Sequence, residues 1–232
     1  MPKISQRQLL ALAFLTLVWG LNWPIMKLGV TDFPPLTFRM ISIWLGLPVL
    51  GLTLWLMKVP FRIPRRHWRE LFWLAVANMF VWQGLIIVAI KSLSSGRAAI
   101  LGYTMPIFSA VIGNLFFGER LLPRAWLGVA AAGLGVVLLL WHEFNSLTGS
   151  PLGVLEMLVA AAIWAVGTHL LRRTRIAAPT LAISFWMMVM TALVMTALAV
   201  CLERPQWKVP SPVTWNAIWF NALIVFGIAQ TL

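Results

Sequence analysis

Eight apolar segments, each about the length of a membrane-spanning helix, take up most of the 232-residue chain. A helix needs about 20 mainly apolar residues to cross the hydrocarbon core, and in lipid every backbone N–H must be satisfied within its own segment. Prolines lie in the polar stretches between the segments, where helices end. The predicted spans are residues 8–27, 36–57, 71–90, 97–117, 124–141, 152–171, 180–202 and 213–232.

The composition supports a membrane location. Only 10% of the residues are charged and 61% are hydrophobic, with a mean hydropathy of +0.89. A soluble domain carries roughly a quarter charged residues, so this chain cannot cover a water-facing surface. An all-α integral membrane protein in a lipid bilayer is therefore predicted. The net charge of +12 does not indicate a nucleic-acid partner, because the Lys and Arg residues cluster between apolar runs.

The distribution of these basic residues predicts an orientation. With the N-terminus on the cytoplasmic side, the inner segments hold twelve Lys and Arg residues and the outer segments hold six. Cytoplasmic loops of membrane proteins carry the excess of Lys and Arg. A cytoplasmic N-terminus is therefore expected.

Matching residues recur in the same order in the two halves of the chain, which predicts an internal repeat of about five spans. The pairs are Trp19 and Trp164, Pro34 and Pro179, Asn78 and Asn221, and Gly84 and Gly227. An odd number of spans inverts the second copy in the membrane. The prediction is two inverted five-helix repeats, residues 1–145 and 146–232, of which the second has three of its five helices. We expect the sequence to be truncated at its C-terminus.

Several motifs resemble those of the EamA-type transporters of the drug/metabolite transporter superfamily. They are VWGLNWPIMKLG, PPLTFRMISIWL, YTMPIFSAVIGNLFFGERL, WLGVAAAGLGVVLL and AAIWAVGTHLLRR. The resemblance implies ten helices in two inverted repeats in the cytoplasmic (inner) membrane of a bacterium. It also implies a secondary transporter that exports small metabolites or amino acids. Inverted repeats of this kind place the solute between the copies and permit alternating access.

The first span presents Trp19, Asn22, Trp23 and Met26 at i, i+3, i+4 and i+7, which is one helical face. Asn22 has two interpretations. It bonds a neighbouring helix, or it lines a polar cavity with the two tryptophans as apolar walls. Pro24 frees a backbone carbonyl near Gly20, which favours the cavity.

Further candidates lie in other spans. Arg39 either snorkels to the outer interface or holds a carboxylate of the solute. Tyr103 and Thr104 precede Pro106, a proline expected to kink span four, and a cavity or a buried hydrogen bond is expected there. Trp164 is the expected counterpart of Trp19 in the second copy.

Polar groups deep in the spans complete the candidates. Gln83 lies about 140° from Asn78 around an ideal helix, so only one of the two is expected to face a cavity. Glu156 and His169 either bind protons or lie at a membrane surface. Glu119 is expected to brace helix ends.

Span five carries small residues four apart, at Gly128 with Ala132 and at Ala131 with Gly135. This is a packing face for another helix, and it leaves a homodimer open. No catalytic residue, metal site or cofactor is predicted, because no metal-ligand spacing and no carboxylate pair on one helix face is found. A non-transporting membrane scaffold and a membrane-embedded enzyme are the alternatives to a transporter.

Overall fold

The computed structural model describes residues 5–119, 121–145 and 150–231. Arg120 and residues 146–149, where the second predicted repeat begins, lie outside this part. The ten α-helices are α1 (Gln6–Val30), α2 (Pro35–Leu56), α3 (Trp68–Ala75), α4 (Val81–Ser92), α5 (Ser95–Gly102), α6 (Met105–Phe117), α7 (Pro123–Asn145), α8 (Pro151–Arg172), α9 (Thr180–Leu198) and α10 (Pro212–Trp219). Three π-helical segments follow α3, α9 and α10, at Val76–Phe80, Ala199–Glu203 and Phe220–Ile228. Short 3₁₀ turns lie at Arg65–His67, Arg204–Gln206 and Ala229–Thr231.

Within the described residues, seven helical segments are long and apolar enough to cross a membrane. They are Gln6–Val30, Pro35–Leu56, Arg65–Ser92, Ser95–Phe117, Pro151–Arg172, Thr180–Gln206 and Pro212–Thr231, and Pro123–Leu138 is a shorter apolar helix. These segments coincide with the eight predicted spans. The chain is an all-α, multi-pass membrane protein, as predicted.

The helices form two compact units. The first unit comprises Met1–Ile63 and Ala178–Leu232, and the second comprises Pro64–Ala177. Spans one, two, seven and eight thus belong to the first unit, and spans three to six belong to the second. Each unit therefore contains helices from both predicted repeats.

Small residues let the helices of the first unit approach closely. In this unit α2 packs against α9 and the third π segment, and α1 packs against α10. A Cβ atom on Gly46 would lie 2.7 Å from Cβ of Phe226, and one on Gly29 would clash with the ring of Phe38. Glycine is required at both positions because a side chain would push the helices apart.

A buried carboxylate holds the start of α2 in the first unit. Pro34 is the N-cap residue of α2 and provides no side-chain cap. Glu203 takes that role from across the unit, accepting hydrogen bonds from N of Leu36 (3.0 Å), N of Thr37 (2.7 Å) and Oγ1 of Thr37 (2.8 Å). The carboxylate thereby satisfies helix N-terminal donors that would otherwise be orphaned.

The second unit has a comparable carboxylate at Glu70, on α3. Its Oε1 accepts hydrogen bonds from Oγ1 of Thr174 (2.7 Å) and N of Arg175 (2.9 Å). In both units, therefore, a glutamate accepts hydrogen bonds from a threonine hydroxyl and a backbone N–H that are distant in sequence. Glu70 precedes predicted span three and Glu203 precedes span eight, whereas Thr37 lies in the first turn of α2 and Thr174 follows span six.

Candidate functional site

The eight candidate solute-binding residues divide equally between the two units. Trp19, Asn22, Trp23 and Arg39 lie in the first, whereas Gln83, Tyr103, Thr104 and Trp164 lie in the second.

On α1, the predicted face is buried over most of its length. Asn22, Trp23 and Met26 are buried, but Trp19 lies at the edge of the face and leaves 39% of its surface exposed. Burial along this helix starts at Val18, because the contacts of α1 with the rest of the unit are made by its C-terminal half. Pro24 is accommodated within a continuous helix.

Asn22 is 4% exposed, and its Oδ1 has no hydrogen-bond partner among the described residues. A buried amide oxygen without a partner costs about 1–3 kcal/mol. An amide that served only to join two helices would have its oxygen bonded to the neighbouring helix. Asn22 instead presents an acceptor that a ligand N–H can satisfy.

Arg39 occupies the centre of the first unit. Its side chain is only 1% exposed, although it lies just over one turn into α2. The guanidinium donates from Nη1 to Oδ1 of Asn221 (3.3 Å) and from Nη2 to Sδ of Met26 (2.8 Å). Its Cζ atom lies 5.3 Å from the ring centroid of Phe226. We call Arg39, Asn221, Met26 and Phe226 the arginine cluster.

This burial contradicts one sequence interpretation of Arg39. The side chain does not snorkel to the outer interface, because neutral partners from α1 and the third π segment hold it inside the unit. Asn221 is itself fixed by donation from Nδ2 to the carbonyl of Ala217 (3.1 Å). The third π segment thus places its amide oxygen against the guanidinium.

The arginine cluster lacks an acidic member. Among the described residues no carboxylate forms an ion pair with Arg39, and its Nε has no hydrogen-bond partner. Buried charges are normally paired, since an uncompensated buried ion costs several kcal/mol. Arginine has donors in a planar fork that matches a carboxylate. The cluster can therefore attract an anionic group.

In the second unit, Gln83 and Asn78 are both buried. The angle of about 140° between them assumed 3.6 residues per turn. That assumption is wrong here, because Val76–Phe80 is π-helical and each π turn holds more residues. Close packing requires Gly167 at this point, as a Cβ atom there would lie 2.8 Å from the backbone of Ala77.

Trp164 packs within the second unit against another tryptophan. Its ring centroid is 6.3 Å from that of Trp82, and the planes are tilted by 51°. The pair forms a partly buried aromatic surface on α4 and α8.

Span four is interrupted before its proline. α5 ends at Gly102 and α6 begins at Met105, so Pro106 lies in the first turn of α6. Thr104 is buried and donates to the carbonyl of Leu101 (2.6 Å), whereas Tyr103 is 50% exposed. Both line an open groove of about 540 Å³ with Ile100, Ile107, Ala132, Gly135, Val136 and Leu138. Tyr103 therefore faces a groove beside α7 and is not deeply buried.

A second polar cluster surrounds His169, in the last turn of α8. His169 is 1% exposed, and its Nε2 lies 2.9 Å from the carbonyl oxygen and 3.1 Å from Oγ of Ser109. Its Nδ1 lies 3.2 Å from Oε1 of Glu119, an ion-pair distance at which the atoms are not aligned as a hydrogen bond. Phe117 stacks on the imidazole at 4.7 Å. We call His169, Glu119, Ser109 and Phe117 the histidine cluster.

The end of α6 positions Glu119. Gly118 adopts a left-handed conformation with φ of 70°, and N of Gly118 and N of Glu119 (2.9 Å) both donate to the carbonyl of Gly113, which ends the helix. The side chain of Asn114 also donates to the carbonyl of Glu119 (2.9 Å). The carboxylate is thereby directed to His169, and its side chain remains 45% exposed.

Sequence reasoning missed the pairing of Glu119 with His169 and the role of Asn221 beside Arg39. Glu119 directly follows span four and His169 lies in the last turn of span six, and both spans end on the same side of the membrane in the predicted topology. Their position on the same side of the membrane was the signal from which the pairing could have been predicted. For Asn221 the only signal was its match to Asn78, and both asparagines lie in π segments.

The fold and these buried polar clusters define a multi-pass helical membrane protein with charged groups inside its helix bundles. The sequence model of the EamA-like transporter family matches residues 7–141, more than half of the chain. The chain therefore belongs to the EamA-like transporter family.

Three relatives extend this result. The chain is 26% identical to "Uncharacterized transporter YoaV" of Bacillus subtilis (strain 168) over 94% of this chain and 75% of the relative. It is 30% identical to "Uncharacterized transporter YvbV" of the same organism over 75% and 56% of the two chains. It is 28% identical to "Probable amino-acid metabolite efflux pump" of Escherichia coli (strain K12) over 65% and 48%.

A solved crystal structure of a protein has the same fold. It superposes with a TM-score of 0.64 at 22% sequence identity and covers 93% of this chain and 75% of that chain. Relatives and family together identify a membrane transporter.

Proposed function

We propose that the chain acts in a secondary transporter that exports small carboxylate-bearing metabolites or amino acids by alternating access. It lies in the cytoplasmic membrane of a bacterium with its N-terminus in the cytoplasm, and it acts as a transporter and not as an enzyme. The observation that carries this proposal is Arg39, a buried arginine held only by neutral partners.

The chemistry of Arg39 supports a carboxylate as the recognised group. Asn221, Met26 and Phe226 orient the guanidinium without neutralising it. A solute carboxylate would supply the missing negative charge. Oδ1 of Asn22, which has no partner among the described residues, would accept an N–H from an amino group. The two groups together suit a solute that carries both.

The relative from Escherichia coli that is named an amino-acid metabolite efflux pump supports the same solute class. Trp23 and Trp19 would provide apolar contact on α1, within the first unit. Gln83, Tyr103, Thr104 and Trp164 are proposed as solute-binding residues within the second unit. No single contact should dominate, because a transporter must also release its solute.

Two features support the inverted repeat, with residues 1–145 and 146–232 as its copies. The matched residues Asn78 and Asn221 are both buried in π-helical segments. Glu70 and Glu203 make the same kind of bond, to a threonine hydroxyl and a backbone N–H. Glu70 of the first copy holds Thr174 of the second, and Glu203 of the second holds Thr37 of the first. Such reciprocity is expected of two interleaved copies.

A homodimer remains a prediction. On α7, Cβ atoms built at Gly128, Gly133 and Gly135 would meet nothing within 4 Å among the described residues. The small-residue face of span five is therefore open in the part of the chain that the structure describes.

Solute flux into vesicles containing the purified chain tests the proposal. Labelled amino acids are compared with the corresponding amino-acid amides, which lack the carboxylate. We expect the acids to be preferred, and Arg39→Gln to lower their flux about tenfold or more, because a charge-assisted hydrogen bond contributes about 1.5–3 kcal/mol.

The matched control is Arg62→Gln, the same change at an exposed arginine of the first unit, and it should leave the flux unchanged. Equal flux of acids and amides in the wild type, or equal loss in both variants, would contradict carboxylate recognition by Arg39.

A further inference from the structure

The hydrogen bonds of His169 determine which of its nitrogens carries a proton. A backbone carbonyl can only accept, so Nε2 must donate a proton to the carbonyl of Ser109, 2.9 Å away. In the neutral ring Nδ1 then holds a lone pair. That lone pair faces Oε1 of Glu119 at 3.2 Å. When Glu119 is ionised, two acceptors oppose each other across this gap.

We propose that Nδ1 of His169 and Oε1 of Glu119 form a binding site for one proton, which serves as the coupling ion of transport. Binding adds one proton between the two atoms and changes the charge of the pair from −1 to zero. Release leaves a neutral imidazole and a carboxylate, and no other group gains or loses a proton. The coupling role rests on the proposed function, whereas the proton site itself does not.

A second His–Glu pair in the same unit shows that proximity alone does not create such a site. Nε of Arg66 donates to Nε2 of His67 (3.0 Å), so that nitrogen is an acceptor. Nδ1 of His67 therefore carries the proton of the neutral ring and donates it to Oε2 of Glu70 (3.1 Å). Both ring nitrogens of His67 therefore make a complementary hydrogen bond, one as acceptor and one as donor, without an added proton. The opposite tautomer makes His169 different.

The surroundings of the histidine cluster combine burial with access. The imidazole is buried beneath the Phe117 ring, while the side chain of Glu119 is 45% exposed and provides a path for the proton. Cζ of Arg173 lies 4.8 Å from the centroid of the Phe117 ring, and Nη2 of Arg173 donates to the carbonyl of Phe117 (2.6 Å). Among the described residues, α3, α4, α5 and α7 place no charged group in hydrogen-bond or ion-pair contact with His169.

The tautomer also argues against a hydrolytic role for Ser109. The order Ser109, His169, Glu119 resembles a Ser–His–acid triad, in which the imidazole accepts the serine proton at Nε2. Here Nε2 donates to a carbonyl and has no lone pair for that proton. The arrangement therefore favours proton storage over activation of a nucleophile.

Nuclear magnetic resonance of the full chain in lipid nanodiscs tests the site without any transport assay. The sequence has three histidines, so His67→Gln combined with His142→Gln leaves His169 as the only one. In ¹⁵N-histidine and ¹³C-glutamate labelled protein, we expect Nε2 to stay protonated throughout. As the pH is lowered, Nδ1 should pass through one protonation step, and the Glu119 carboxyl signal should move at the same midpoint.

Two added substitutions separate the groups. Glu119→Gln should shift the Nδ1 step by at least about one pH unit, since one unit corresponds to a tenfold change in proton affinity. Ser109→Ala keeps the backbone carbonyl and should leave the step in place. Should Glu119→Gln unfold the chain, the shared midpoint in the unsubstituted site still decides.

The proposal is overturned if Nδ1 carries the proton in the neutral ring, if His169 and Glu119 change independently, or if neither changes. It is also overturned if Ser109→Ala removes the step. A chain that transports solute but shows no shared step retains its proposed function and loses this inference. A shared step in a chain without flux has the opposite meaning: the site exists and the proposed function fails.

Discussion

The arginine cluster and the histidine cluster are both buried and polar, but they hold charge in different ways. Arg39 is an arginine, which serves proteins as a cationic side chain, and its partners are an amide, a thioether and an aromatic ring. His169 meets a carboxylate and a carbonyl, and an imidazole has a second nitrogen that can take up a proton. A cationic side chain suits the reversible binding of an anionic solute, and a titratable pair suits the binding of a proton.

The two clusters also depend on different kinds of irregularity in their helices. In the first unit, a π segment brings Asn221 to the guanidinium of Arg39. In the second unit, the left-handed Gly118 turns Glu119 toward His169. π turns are frequent at functional sites, and a left-handed glycine ends a helix abruptly. Each cluster thus depends on a departure from regular α-helix.

The largest expected effect is a change in the free energy of unfolding, and its sign should differ between substitutions in the two clusters. Arg39→Met removes a buried charge that lacks an acidic partner, and it takes from Oδ1 of Asn221 only a long 3.3 Å donor. Replacing buried ions by apolar groups is often stabilising by up to about 1–4 kcal/mol. We expect a higher free energy of unfolding, measured by denaturant titration in one detergent, together with loss of solute flux.

His169→Met is the counterpart of that variant. It leaves the carbonyl of Ser109 without its donor and removes the stacked ring, so the free energy of unfolding should fall by about 1–3 kcal/mol. Equal losses of stability in the two variants would mean that Arg39 is a structural residue and that the contrast between the clusters is mistaken.

The next effect concerns solute accumulation in vesicles with a pH gradient. If one proton is exchanged for each solute molecule, a gradient of one pH unit drives up to about tenfold accumulation. Glu119→Gln should abolish this accumulation while exchange of solute at equal pH continues through Arg39. Accumulation is read from the internal concentration of the amino acid that gives the largest wild-type flux.

His67→Gln provides the matched control, because both ring nitrogens of His67 already have complementary hydrogen-bond partners and leave no site for an added proton. It should accumulate solute as the wild type does. If both variants lose accumulation, or if Glu119→Gln retains it, the two His–Glu pairs do not differ as described.

The smallest effect tests the packing of the histidine cluster. A Cβ atom on Gly113 would lie 2.8 Å from Oε2 of Glu119 and 2.8 Å from Cε1 of His169. Gly113→Ala should therefore lower the free energy of unfolding by about 1 kcal/mol, at the low end for overpacking because the Glu119 end can move. Gly133 of α7 meets nothing within 4 Å, so Gly133→Ala should raise that free energy by up to about 1 kcal/mol. A destabilised Gly133→Ala protein, or an unaffected Gly113→Ala protein, would contradict this packing.

The number and position of the helical spans followed from hydrophobicity alone. Each helix in lipid must satisfy its own backbone hydrogen bonds, so a run such as 36–57 predicts a span without knowledge of its neighbours. The observed α2, Pro35–Leu56, differs from that prediction by one residue at each end. The family resemblance likewise rested on local motifs.

The candidate sites were predicted from the sequence less well than the spans, because the residues of each site come from distant parts of the chain. Arg39 and Asn221 are 182 residues apart, and Ser109 and His169 are 60 residues apart. The helical face of Trp19, Asn22 and Trp23 was predicted from spacing, but the exposure of Trp19 depends on where the neighbouring helices begin to pack. The predicted angle of about 140° between Gln83 and Asn78 does not hold, because a π turn leaves no signal in spacing rules based on 3.6 residues per turn.

Composition and periodicity by themselves determined the solvent, the helical class, the positions of the spans and the polar residues within them. These are local properties, since each segment exchanges water for lipid according to its own residues. The tertiary structure decided which spans form a unit, that Arg39 turns inward to Asn221, and that His169 meets Glu119 with Nδ1. Those outcomes depend on packing between helices that are remote in sequence, where glycines and irregular turns set the approach of one backbone to another.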